Sequence, residues 1–270
     1  MGVNRRAFDD VNTDIPSAAR IYDYFLGGYH NFEVDRMIAR KFVEILPKAP
    51  LILRSNRAFV RRAVRFLAEQ GVDQFLDVGS GIPTVGNVHE IAQKINPSVR
   101  VVYVDIEPVA VRHSEAILKD NPNAVAIEAD LRQPQAILDH PEVQRLLDLS
   151  QPTAVLITSV LLFVLDDEEA YGVVRALRAA LATGSYFAIS HGTREGTPEE
   201  QVQQGEKLYA TIGTPIKIRS RAEIERFFEG LELVEPGLVY LPLWRPEGPD
   251  DLYLDQPEEC GIYGGVGRKP

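Results

Sequence analysis

Apolar positions recur at helical intervals up to about residue 71 and then in short runs of adjacent residues. Ala18, Ile21, Tyr22, Phe25 and Leu26 share one face of a predicted first helix. Asp14 is its expected cap and Gly27-Gly28 its stop. A second helix is predicted over 32–46, stopped by Pro47 and Pro50. Ser55 or Asn56 is expected to cap a third, in which Phe59, Ala63, Phe66 and Leu67 share a face and Gly71 ends the run.

From residue 72 the pattern alternates. Strands are predicted at 74–78, 101–104, 124–129, 154–158 and 186–190. Helical spacing follows at 88–95 and 108–118, and more weakly over 134–148. Asp166 with Glu169, and Ser220 with Glu223, read as capping boxes of helices ending at Ala182 and Gly230. Thr197-Pro198-Glu199-Glu200 opens another, with proline at the first helical position. Strand-like stretches at 231–243 and 262–268 close the chain around a Pro/Asp/Glu-rich loop at 246–259. Such alternation predicts an α/β fold: a doubly wound, mostly parallel, seven-stranded sheet with helices on both faces, its last pair free to run antiparallel. Residues 1–70 are expected to form a helical cap or lid, and 71–270 one structural unit that carries the site.

Bulk properties narrow the function classes. The 270 residues hold 29 basic and 39 acidic side chains, a net charge of −10. That disfavours a nucleic-acid partner, which needs a basic footprint. One cysteine, Cys260, excludes an internal disulfide. No apolar run approaches the roughly 18 residues of a membrane helix, and no leader pattern opens the chain. The expectation is a cytoplasmic protein with a small-molecule substrate and no membrane partner. Oligomeric state leaves no signal.

The first three strands end on carboxylates: Asp77-Val78-Gly79-Ser80-Gly81, Asp105 and Asp130. In an open α/β sheet, ligands bind outside these strand ends. A dinucleotide fingerprint would need a third glycine where Gly79-Ser80-Gly81-Ile82-Pro83-Thr84 has threonine. Pro83 also offers no N–H to a phosphate. Asp77 suits a ligand with a positive amino group and no phosphate, as in S-adenosylmethionine. Asp105, 24 residues beyond Gly81, stands near the spacing at which an acid grips ribose hydroxyls. Asp130 suits an adenine amino group, with Leu131 beside the ring. Asp105 or Asp130 alone would serve equally as a helix cap. Three at consecutive strand ends favour a ligand, and Ser80, Ile106 and Ser159 complete the expected cofactor set.

The stretch from Phe75 to Thr84, Gly86-Asn87-Val88-His89-Glu90 and Val102-Tyr103-Val104-Asp105 resembles a family of S-adenosylmethionine-dependent methyltransferases long filed as a domain of unknown function. The N-terminal run from Pro16 to Gly28 with Asn31-Phe32, then Asn56-Arg57-Ala58-Phe59, and the closing run from Tyr263 to Lys269 resemble its other signatures. The resemblance covers about residues 9–270. It implies a Rossmann-like methyltransferase fold, S-adenosylmethionine as cofactor, and Gly79, Gly81, Asp105, Asp130 and Leu131 around it. One departure stands out: where many small-molecule methyltransferases place a histidine after the fourth strand, this chain has Ser159-Val160-Leu161-Leu162. Two other functions compete, a non-catalytic protein that binds the same cofactor and an NAD-type oxidoreductase.

Methyl transfer requires alignment above all. Tyr22 and Tyr24 are candidates for the pocket roof, although Tyr22 also fits a core stripe with Ile21 and Phe25. His191 and His30 are the candidate bases, and His89 reads as packing. Arg57, Arg61 and Arg65 form a stripe that is more often solvated, with Arg57 able to approach a cofactor carboxylate. Five scattered histidines, with no H-E-x-x-H or C-x-x-C, suggest no metal. Segments 14–50 and 197–217 are expected to wall the acceptor side.

Overall fold

The computed structural model describes residues 13–83, 86–248 and 251–270. Thr84, at the position of the missing third glycine, and residues 1–12 of the N-terminal cap lie outside them. Helix α1 spans Ala18–Phe25. Its cap is Ser17, not Asp14: the Ser17 hydroxyl accepts the Arg20 N–H. Asp35, fully buried, accepts bonds from Ser17 N, Arg20 Nε and Phe32 N at 2.7–2.9 Å. That one carboxylate fastens α1 to α2, Glu33–Ile45.

Helix α3 runs over Ala49–Glu69, six residues ahead of the expected cap. Pro50 falls in its first turn, where a missing N–H costs nothing. Ser55 and Asn56 are therefore buried in mid-helix rather than at a cap. Gly71 lies just beyond the end at φ +86°.

Strands β1 (Gln74–Val78), β2 (Arg100–Asp105), β3 (Ala124–Glu128), β4 (Ala154–Thr158) and β5 (Tyr186–Gly192) pair in parallel in the order β3-β2-β1-β4-β5. Every residue of β1 is buried, as a central strand covered on both faces requires. Phe75 faces a cluster with Phe59 and Leu67 of α3 and with α4, Val88–Ile95; Leu76 faces the opposite cluster with α8, Asp167–Ala180. Helix α5, Pro108–Leu118, follows β2. The predicted helix over 134–148 is two, α6 (Pro134–Leu138) and α7 (Pro141–Leu146), because Pro141 can start a helix but not continue one.

The closing part departs most from expectation. Helices α9 (Glu199–Thr211) and α10 (Arg221–Glu225) precede it, with Pro198 at the cap of α9 rather than inside it. The predicted strand over 231–243 is two dipeptide strands, β6 (Glu232–Leu233) and β7 (Val239–Tyr240). Pro236 and Gly237 interrupt it, since proline cannot donate to a ladder. Both pair antiparallel with β8, Ile262–Arg268, which pairs antiparallel with β5. The sheet therefore has eight strands among the described residues rather than seven. The order reverses between β1 and β4, which opens a crevice at their carboxyl ends.

Candidate functional site

A cavity of about 800 Å³ occupies that crevice, toward the upper end of the roughly 300–1,000 Å³ usual for small-molecule pockets. Its floor is the turn after β1. Gly79 N and Ser80 N both donate to Val104 O, at 2.8 and 3.1 Å, drawing the turn over the end of β2. Gly79 (φ +74°) and Gly81 (φ +66°) take backbone conformations that side chains resist. A Cβ on Gly79 would lie 2.3 Å from Val160 Cγ2, whereas one on Gly81 would meet nothing within 4 Å. The first glycine admits the neighbouring chain and the second keeps the wall open.

Asp105 ties two strand-end loops together. Its Oδ2 accepts Gly81 N at 2.7 Å and its Oδ1 accepts Glu107 N at 2.9 Å. Burial raises its pKa, opposed by these backbone bonds. A carboxylate has about four lone-pair sites, so it keeps accepting capacity beyond these bonds. Ile106, beside it, is 53% exposed and lines the cavity with Leu131. These two apolar side chains could pack against a flat ring. Asp130 also lines the wall, but Arg132 holds its carboxylate at 2.6 Å and keeps its pKa low.

Asp77 corrects the expectation of direct contact. Among the described residues lining the cavity it is absent. Its side chain is buried behind the turn, where burial pushes its pKa up to about 7, with Arg57 opposing and Asp105 reinforcing the rise. Arg57 does line the cavity. Its Nη2 donates to Asn87 Oδ1 at 3.0 Å, and its buried Nε has no protein partner. Arg61 and Arg65 instead pair with Glu247 at 3.7 and 2.6 Å. The stripe thus splits, and only Arg57 can reach a ligand carboxylate.

Ser159, on the wall between the two halves, holds φ +51°, a conformation that non-glycine residues keep mainly at functional sites. It sits at the head of a polar chain. Ser159 Oγ is 3.4 Å from Ser190 Oγ, which donates to Asn56 Oδ1 at 2.6 Å. Asn56 Nδ2 donates to the Tyr22 hydroxyl at 3.1 Å, which donates to Leu53 O. Tyr22 therefore lines the cavity and braces α1 on α3. Tyr24 does not reach the cavity; it packs against Phe25 in the α1–α2 cluster.

Neither candidate base lines the cavity among the described residues. His191 is fully buried. Its Nδ1 donates to Gly192 O at 2.8 Å, so its Nε2 is the acceptor for Arg219 Nη1 at 2.9 Å. Burial pulls its pKa down to about 4; it is a neutral packing residue. His30 lies in the loop after α1, its ring 3.9 Å from that of His113 and its Nδ1 3.7 Å from Asp23 Oδ1. His89 packs as expected, with Nδ1 2.7 Å from the Tyr103 hydroxyl.

The far half of the cavity is lined by α1, α2, α9 and residues 213–216, within the segments 14–50 and 197–217, and also by Ile218 and Leu162–Leu165, which lie outside them. The side chains that matter, Phe42, Phe163, Glu206 and Tyr209, were not singled out from the sequence. The one local signal was Gly205, a glycine inside a helix, where it costs about 1 kcal/mol against alanine. A Cβ there would lie 3.3 Å from Phe42 Cε2.

The groups present suit S-adenosylmethionine better than a dinucleotide. Arg57 on the wall could meet a carboxylate, Asp105 ribose hydroxyls, and Ile106 with Leu131 a flat ring, while Pro83 offers no N–H to a phosphate. Comparison with known proteins agrees. The profile of a family described as S-adenosyl methyltransferase matches residues 4–270. A DUF574 family protein of Streptomyces avermitilis is 42% identical, with TM-score 0.91 over 96% of this chain and 99% of its own. A Thermobifida fusca protein described as a candidate methyltransferase is also 42% identical, with TM-score 0.90 over 97% and 98%. No curated protein sequence matches. Among the described residues, no helix is long and apolar enough to cross a membrane.

Proposed function

The chain belongs to the S-adenosyl methyltransferase family, and from that premise we propose that it methylates a small-molecule acceptor held in the far half of the cavity. One observation carries this reading: the strand-end loops and the α2–α9 wall line a single continuous space. Bound at the strand ends, S-adenosylmethionine supplies an electrophilic methyl carbon. Arg57 is positioned to hold its carboxylate, Asp105 its ribose, and Ile106 and Leu131 its adenine. The Ser159–Ser190–Asn56–Tyr22 chain fixes the wall between the two halves. Alignment at about 3–3.5 Å and exclusion of water are the protein's main contributions. No histidine faces the cavity among the described residues, which favours an acceptor that attacks without a histidine base.

Thermal unfolding with S-adenosylmethionine, S-adenosylhomocysteine and NAD tests the cofactor, because a ligand of the native state raises its stability. The first two should raise Tm and NAD should not. Methyl-labelled cofactor and a fractionated metabolite extract then test the acceptor. Label is expected in the small-molecule fraction. Label confined to protein or nucleic acid would overturn the small-molecule acceptor, and absence of transfer from a broad panel would point to cofactor binding alone.

A further inference from the structure

We infer that the far half of the cavity takes a planar aromatic amine, with its ring against Phe42, Phe163 and Tyr209 and its N–H groups on Glu206. The inference rests on the reading that this half holds the acceptor. Three rings shape the apolar part. Tyr209 meets Phe42 edge-on, centroids 5.6 Å apart at 84°, and Phe163 at 6.4 Å and 54°. Rings at such steep angles form a concave wall rather than a closed stack. Gly205, one helical turn before Tyr209, lets α9 come close against the Phe42 ring, since a Cβ there would lie 3.3 Å from Phe42 Cε2. A flat apolar body fits such a wall, and ring faces also favour an adjacent cation.

Charge selects the polar end. Six carboxylates line the cavity against two arginines, Arg57 and Arg132. Arg57 is at the cofactor end, and Arg132 is engaged by Asp130. At the far end, Glu206 lines the wall with one oxygen already held: its Oε1 accepts both Arg194 Nη2 and Ile218 N, each at 3.0 Å. Arg194 also gives Nη1 to Glu199 at 3.1 Å. Two carboxylates thus share one guanidinium, which leaves a net negative charge beside the wall. With Oε1 anchored, Oε2 is the atom left for a ligand. An ionised carboxylate only accepts hydrogen bonds, so it welcomes an amine and repels a carboxylate or phosphate. A buried site built for a donor rejects ligands that lack one.

The test is calorimetry on protein saturated with S-adenosylhomocysteine, using tryptamine, indole-3-acetate and indole as probes. They share a ring and differ in charge. Tryptamine is expected to bind at least tenfold more tightly than indole-3-acetate, with indole between them. Glu206→Gln, which keeps an acceptor for Ile218 N, should cut that preference to threefold or less while leaving S-adenosylhomocysteine affinity within twofold. Tyr209→Ala should weaken the amine and the neutral ring alike. Equal or tighter binding of indole-3-acetate overturns the inference. So does a preference that survives Glu206→Gln, or failure of all three probes to bind the loaded protein. Failure of S-adenosylhomocysteine itself to bind removes the cofactor reading along with this one, whereas the other outcomes remove this one alone.

Discussion

The two halves of the cavity are built by different rules. The cofactor half is made by backbone at the ends of adjacent strands: glycine turns, and one carboxylate that accepts N–H groups from two loops. The far half is made by side chains brought from helices far apart in sequence, Phe42 on α2 meeting Tyr209 on α9. The parts of the first half share hydrogen bonds, so substitutions there are expected to cost most. The second is a packed wall of side chains, where substitutions are expected to leave the strand ends undisturbed.

Asp105 is where that contrast should be sharpest. If Asp105 holds the ribose as proposed, Asp105→Ala loses two charge-assisted bonds at about 2 kcal/mol each, roughly a thousandfold in affinity. The sheet should stay folded, since β2 keeps its ladders to β1 and β3. Titration of S-adenosylhomocysteine, with circular dichroism as the folding control, reads both. An affinity unchanged within tenfold would show that the ribose is held elsewhere.

Asp77 tests whether the base of the turn carries electrostatic strain. Its carboxyl moves from 3.8 to about 7 on folding, chiefly by burial. The folded state therefore holds the proton more tightly than the unfolded chain. Stability from this group is fully present below pH 3.8 and is lost as pH rises toward 7. Between pH 5 and 8 the loss is roughly 2.5 kcal/mol. Asp77→Asn, neutral and of similar shape, should gain on wild type in thermal unfolding by about that amount across the window. A Tm difference that stays flat from pH 5 to 8 would mean that Asp77 is ionised throughout.

The same contrast explains what the sequence revealed. Gly79, Gly81, Asp105 and Asp130 stood out because strand-end turns need local residue types at fixed spacing. Side-chain direction is not local. Asp77 looked like a ligand contact, but its side chain lies behind the turn, near Arg57 of α3. Asn56 read as a helix cap, yet its amide is satisfied by Tyr22 and by Ser190, 134 residues away. His191 looked available at the end of a strand until Arg219, 28 residues on, closed over its ring. Each miss turns on a tertiary partner that no short window contains. The far wall shows the limit most plainly: two of its segments were foreseen, but the stretch that carries Phe163, the rings and the carboxylate were not.

Within the cofactor turn, the two glycines should differ. Gly79→Ala combines a disfavoured φ with a Cβ 2.3 Å from Val160 Cγ2, and should cost about 2–3 kcal/mol. Gly81→Ala carries the φ penalty without the collision, about 1 kcal/mol. Chemical denaturation of both variants measures the gap. Equal costs would show that Val160 yields, and that the turn is less rigid than the contrast requires.

Gly205→Ala gives the smallest effect and probes the opposite half. Alanine is favoured over glycine inside a helix by about 1 kcal/mol. Against that, its Cβ would sit 3.3 Å from Phe42 Cε2, so Phe42 must shift by a few tenths of an ångström. Phe42 belongs to the small α1–α2 cluster and lies partly buried on the cavity wall, where the cavity side is its direction of give. The net change expected is a gain of a few tenths of a kcal/mol, with S-adenosylhomocysteine affinity within twofold of wild type. Alanine would then be tolerated in the far wall and costly at Gly79, in one continuous cavity. A loss above about 1 kcal/mol, or a tenfold weaker cofactor analogue, would show α9 coupled to the strand-end loops, and the division into a fixed half and an adaptable half would fail.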